Sequence, residues 1–174
     1  MALGQHRKII QIVGYQNSGK TTLMEQLIKQ ASAEGLRVGT IKHHGHGGVP
    51  MIDSSKDSSR HEQAGASVSA VEGEGTLRMS IHQHNWQLAE ILKIYAAFPL
   101  DIILIEGYKS EHYPKVVLLR TAQDQELLQQ ISNILCVIYW PSYPLDQTLA
   151  RPAFSIDEES QYMEFLMREM RGKL

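Results

Sequence analysis

An α/β fold is what this sequence predicts: a mainly parallel sheet with helices on both faces, plus a β-hairpin extension. Apolar runs of strand length alternate with stretches whose apolar residues recur at helical spacing, the pattern of strands joined by crossover helices. The segment "GYQNSGKTT" (14–22) links the first such run to the first such helix. Further on, "EGEG" (72–75) separates two β-like runs, the mark of a hairpin.

In chain order, "KIIQIV" (8–13) reads as a buried strand. A helix follows over 20–34, with Leu23, Leu27 and Ala31 four apart, Met24 and Ile28 beside them, and Gly35 as its stop. "LRVGTI" (36–41) is the second strand. A loop rich in Gly, Ser and His runs from His43 to about Ser55, and Asp57 or Ser58 starts a helix through Ala64 that Gly65 ends. The hairpin occupies about 67–82. An amphipathic helix over 85–97 carries Leu88, Ile91, Leu92 and Tyr95, and Pro99 stops it. "DIILIEGY" (101–108), "PKVVLLR" (114–120) and "NILCVIYW" (133–140) are three further strands. A last helix covers about 158–171, with Met163, Met167 and Met170 spaced for core packing. No repeat, low-complexity tract or linker divides the sequence, so a single domain over 1–174 is expected.

The 174 residues suffice for one real core. Hydrophobic residues at 43% and charged residues at 21% are those of an ordinary soluble fold. A net charge of −2 and a pI near 6.4 leave no broad basic surface, so neither nucleic acid nor membrane is expected as a partner. The N-terminus lacks a signal-peptide segment, and no apolar run approaches the ~18 residues of a membrane span; a cytoplasmic protein is expected. Cys136, the one cysteine, lies in an apolar stretch and reads as a buried thiol.

Gly14, Gly19, Lys20 and Thr21 fit the phosphate-loop pattern G-x-x-x-x-G-K-[ST] between a predicted strand and a predicted helix. The two glycines let the backbone wrap closely around an anion. The amides of Asn17, Ser18, Gly19, Lys20 and Thr21 are placed at the positive end of the helix, and Thr22 continues its first turn. Lys20 suits the β- and γ-phosphates, and the Thr21 hydroxyl suits Mg²⁺.

A second metal acid is expected beyond a neighbouring strand. Asp101 and Glu106 flank "IILI" and lie roughly 17 Å apart along an extended strand. Ligands gather at the carboxyl edge, where Glu106 lies, while Asp101 caps the strand start or ends the preceding turn. Gly107 is placed to offer its amide to a γ-phosphate. The loop "TIKHHGHGG" (40–48) opens at the same edge, bringing Lys42, His43, His44 and His46 toward an anion or a metal. No cysteine or matched acid accompanies these histidines, which speaks against a dedicated metal site.

"GYQNSGKTTL", "IKHH", "KDSSRHEQAGA" (56–66), "DIILIEGYK" (101–109) and "PKVVLLR" occur together and in this order. The set resembles the molybdopterin-guanine dinucleotide biosynthesis protein B family over about residues 8–140. The resemblance implies a P-loop NTPase-like domain that dimerises partly through an extended hairpin. It further implies a GTP-binding adapter with weak hydrolysis, assisting the guanylyltransferase that joins GMP to molybdopterin. On that likeness Gly14 to Thr22 bind phosphates, Thr21 and Glu106 serve Mg²⁺, and Lys42, His43, Asp53, Gly107 and Lys109 are anion or partner contacts.

Two other functions use the same loop. A small-molecule kinase would also need lid arginines, and Arg60, Arg78 and Arg120 are scattered, with none recognisable near the loop motifs. A metal-delivery GTPase is favoured only by the histidines. Guanine choice is not written in the residues: "VIYWPSYPLD" (137–146) lacks N/T-K-x-D, leaving Asp146 as a candidate acceptor.

Overall fold

The computed structural model describes residues 7–43, 57–143 and 151–172. These fall into two units, Met1–Gly45 with Tyr95–Leu174, and His46–Ile94. The first unit holds a six-stranded, all-parallel sheet in the order β2-β5-β1-β6-β7-β8, from β1 (Lys8–Gly14), β2 (Val38–Lys42), β5 (Ile102–Glu106), β6 (Lys115–Leu119), β7 (Ile134–Tyr139) and β8 (Ala153–Ser155). Both faces are covered, which is why the central strands read as continuous apolar runs. On one face Ile10, Ile12, Ile102, Leu104, Val116, Leu118 and Ile138 pack against α1 (Lys20–Ala33) and α5 (Glu159–Arg171). Leu23, Leu27 and Ala31 of α1 and Met163, Met167 and Met170 of α5 are all buried there. On the other face Val13, Val117, Leu119 and Val137 meet Leu127 of α4 (Gln125–Gln130) and Tyr143. The predicted α/β fold with helices on both faces is therefore present.

Strand register explains an unusual connection. Gln11 of β1 lies opposite Ile105 on one side and Lys115 on the other, so β6 begins at the level where β5 ends. The chain crosses about two strand spacings, roughly 10 Å, through the strap 107–114, where a crossover between parallel strands ordinarily uses a helix. Two fully buried polar side chains satisfy the strap's carbonyls. Gln11 Nε2 donates to Gly107 O (3.0 Å) and Tyr108 O (2.7 Å), and Lys115 Nζ donates to Glu111 O and to Tyr113 O (3.1 Å). Burial pushes the Lys115 ammonium below its ordinary value, opposed by Glu111.

The second unit contains α2 (Asp57–Gln63), the antiparallel pair β3 (Val68–Gly73) and β4 (Thr76–Ile81), and α3 (Leu88–Tyr95), whose last residue falls in the first unit. Glu74 and Gly75 both have positive φ, 50° and 77°, as a two-residue hairpin turn demands. Glu62 ties α2 to the hairpin, accepting from Ser69 Oγ (2.7 Å) and lying 3.2 Å from His82 Nε2. The hairpin expected at about 67–82 is thus present, and the helix expected at 85–97 is shorter at both ends. Three elements were not expected: a 3₁₀ turn (Ala122–Asp124), α4 and β8. Among the described residues no helix is long and apolar enough to cross a membrane.

Candidate functional site

The segment 14–22 leaves the carboxyl end of β1 and enters α1. A Cβ on Gly14 would stand 2.5 Å from Ser18 Oγ and 2.9 Å from Leu118 O, so the loop closes on a position only glycine can fill. Asn17 and Gly19 adopt left-handed backbone (φ 59° and 95°), and Gly19 O accepts the first helical bond, from Leu23 N at 3.0 Å. Lys20 bends back over the loop, with Nζ 2.5 Å from Tyr15 O and 3.4 Å from Ser18 Oγ. Burial lowers its pKa, Glu106 opposes that, and Lys109 and Lys42 add to it. Three ammonium groups and one carboxylate therefore converge beside the loop. Thr22 is exposed on the first turn of α1.

Glu106, only 7% exposed, ends β5 at this edge. Both its carboxylate oxygens lie 3.4 Å from Thr21 Oγ1. Lys42, at the end of β2, reaches in from the other side, 3.1 Å from Glu106 Oε1 and 3.4 Å from Thr21 Oγ1. A hydroxyl and a nearly buried carboxylate that already attract a cation form a hard-oxygen donor set, which fits Mg²⁺. Asp101 lies at the opposite end of β5, held by Arg37 through Nε (2.9 Å), Nη2 (2.8 Å) and the main-chain N–H (2.8 Å).

The corner after β5 is sharply turned, Gly107 and Tyr108 both having positive φ (97° and 53°). Expected to face a γ-phosphate, the Gly107 amide instead donates to Ile12 O (3.0 Å) inside the sheet. His43 N donates to Glu106 O (2.9 Å), and its ring lies 4.5 Å from that of Tyr108. Lys109 Nζ sits 4.1 Å from the centre of the Tyr15 ring, a cation–π contact, and burial lowers its pKa. His44, His46, Asp53 and Asp146 lie outside the described residues. Among the described residues no three His, Cys, Asp or Glu side chains cluster as metal ligands.

Two residues of this edge were missed. Arg120, which the sequence left scattered from the loop motifs, follows β6 and donates from Nη1 to Asn17 O (3.1 Å). Trp140, which follows β7, donates from Nε1 to Ser18 O (3.2 Å). The signal for both was their place at strand carboxyl ends, the edge where the loop itself lies. Chemically, the edge offers backbone donors at a helix start, several cations and one oxygen pair for a hard metal, a set suited to a polyphosphate.

Residues 9–140 match the family model described as Molybdopterin guanine dinucleotide synthesis protein B. The sequence is 40% identical over 174 residues, 99% of each chain, to the probable molybdopterin-guanine dinucleotide biosynthesis adapter protein of Bacillus subtilis (strain 168). The crystal structure of Bacillus subtilis MobB superposes with a TM-score of 0.85 at 38% identity, over 95% of this chain and 99% of that one. That of the MobB protein homolog from Bacillus stearothermophilus does so at 0.78 and 41% identity, over the same shares.

Proposed function

This chain belongs to the molybdopterin guanine dinucleotide synthesis protein B family, an adapter of molybdenum cofactor biosynthesis, and we propose that it does this work as a GTP-binding protein assisting a guanylyltransferase. The observation that carries the proposal is the juxtaposition of Thr21, Glu106 and the phosphate loop at one sheet edge. In this reading Gly14 and Asn17 to Thr22 hold the phosphates, and Thr21 and Glu106 hold Mg²⁺. Lys42, His43, Lys109 and Asp53 contact the anion or the partner, while Gly107 shapes the corner that carries Lys109.

The protein acts in the cytoplasm as a single-domain homodimer. Support for the dimer comes from the hairpin, where Val68, Val71, Leu77 and Met79 are each about half exposed. A two-stranded sheet with apolar side chains in water is marginal by itself and tends to recruit a partner. Hydrolysis is slow, below about one turnover per minute: Arg120, the arginine beside the loop, is engaged with the Asn17 carbonyl, and a phosphate loop whose terminal phosphate meets no catalytic arginine hydrolyses poorly. Calorimetric competition of GTP against ATP tests the nucleotide, and co-purification with the guanylyltransferase tests the partner. Preference for ATP, or rapid turnover by a strict monomer, would defeat this reading.

A further inference from the structure

The outer side of the phosphate loop is tied down by two side chains from the far strands. Arg120 Nη1 donates to Asn17 O at 3.1 Å, and Trp140 Nε1 donates to Ser18 O at 3.2 Å. The two are coupled, the Arg120 guanidinium carbon lying 5.3 Å from the centre of the Trp140 ring. Their own backbones are pinned. Arg120 N donates to Asp124 Oδ2 (2.6 Å), Arg120 O accepts from Ser142 Oγ (3.0 Å), and Trp140 N donates to Leu119 O (2.9 Å). Asp124 is itself nearly buried and also accepts from Thr121 N and Thr121 Oγ1.

A trans peptide unit is planar, and its C=O and N–H point in opposite directions. Holding the carbonyls of Asn17 and Ser18 against Arg120 and Trp140 therefore sends the amides of Ser18 and Gly19 to the other side. Those two amides lie in the middle of the loop, and Asn17 is in the left-handed conformation that few residues adopt unaided. A peptide flip here would replace a donor by a carbonyl oxygen, which repels phosphate.

We propose that Arg120 and Trp140 are positioning residues that preset the two central peptide planes of the phosphate loop for an anion. The proposal rests on the phosphate-binding reading above. It commits both residues to the loop rather than to the nucleoside, so their effect is the same whatever the phosphates are attached to.

The test is calorimetry with two probes, Mg²⁺-GTP and inorganic pyrophosphate, on wild type, Arg120→Met, Arg120→Lys, Trp140→Phe and Lys20→Ala. Arg120→Met and Trp140→Phe should each weaken both probes by the same factor, about fivefold, the worth of one hydrogen bond. Arg120→Lys should recover most of the loss, since an ammonium can still donate to Asn17 O and sit over the Trp140 ring. Arg120 is exposed, so Arg120→Met carries the test if Trp140→Phe does not fold. Weakening of Mg²⁺-GTP with pyrophosphate unchanged would assign the pair to the nucleoside and overturn the proposal, as would no change for either probe. If Lys20→Ala also leaves both probes unaffected, the fault lies in the phosphate-loop reading beneath it.

Discussion

Lys42 Nζ lies 3.1 Å from Glu106 Oε1 and 3.4 Å from Thr21 Oγ1, so one ammonium joins the two residues assigned to Mg²⁺. A metal arriving with its nucleotide competes with that ammonium for the carboxylate. Lys42→Met should therefore lower the Mg²⁺ concentration that half-supports GTP binding, by about two- to fivefold, the range of a solvent-accessible ion pair. An unchanged or higher Mg²⁺ requirement in a calorimetric series would exclude this competition.

Lys20→Ala should keep the fold and weaken triphosphate binding at least tenfold, which corresponds to about 1.4 kcal/mol. Glu106→Gln should impair Mg²⁺-dependent binding more than Asp101→Asn, because only Glu106 stands beside Thr21. Far-UV circular dichroism checks the folds and calorimetry the affinities. A larger loss in Asp101→Asn would move the metal to the wrong edge of the sheet.

Asp101 instead makes a small contribution to stability in acid. Hydrogen bonds from the Arg37 guanidinium, then from its main-chain N–H, hold the Asp101 carboxyl well below the usual carboxylate range. The unfolded chain then takes up the proton first, so this contribution is full above about pH 4 and is lost as pH falls below it. Asp101→Asn should cost about 1 kcal/mol or less at pH 7, since solvent screens so exposed a pair. The gap between the two proteins in urea unfolding should close below pH 4; a gap constant down to pH 2 would show that the charge does not matter.

Burial pushes the Cys136 thiol up to about 12. At pH 8 about one molecule in ten thousand then carries the thiolate, the form that reacts. Ellman's reagent should leave the native protein unlabelled over an hour and label it stoichiometrically in guanidinium chloride. Rapid native labelling would mean that the sheet opens at β7.

Met79 lies opposite Ala70 in the hairpin and is about half exposed. If this face joins two copies, Met79→Asp should shift light scattering toward monomer while leaving the thermal transition cooperative. A dimer that survives dilution unchanged in this variant must be held elsewhere.

The sequence made most of the sheet legible, since a strand buried on both faces has no polar alternation to dilute its signal, as "IILI" illustrates. α1 was equally plain from Leu23, Leu27 and Ala31. "QELLQQ" was not, because six residues with two leucines do not establish a period, and "AFS" is too short to read as a strand. α3 ends earlier than its pattern because Phe98 N donates to Tyr95 O (3.1 Å) in a tight turn, and Arg7 takes up the carbonyls of Tyr95 and Ala96. At the site, the loop and Glu106 were readable because each adjoins its own strand. Arg120 and Trp140 were not, since they lie 103 and 122 positions from the carbonyls they hold.

The strand order also sets a timetable. β1 is made first, yet both its neighbours, β5 and β6, come from the second half of the chain. At about 5–20 residues per second, the roughly ninety residues between β1 and β5 take on the order of five to twenty seconds to synthesise. Meanwhile the hairpin, whose contacts are local, can close within microseconds. A central strand of the sheet is thus made early and paired late, in a topology whose distant pairings are slow to form. The outer hydrogen bonds of the phosphate loop come later still, since Trp140 follows β7. A nascent chain therefore builds its hairpin long before it can complete the cradle formed at its own twentieth residue.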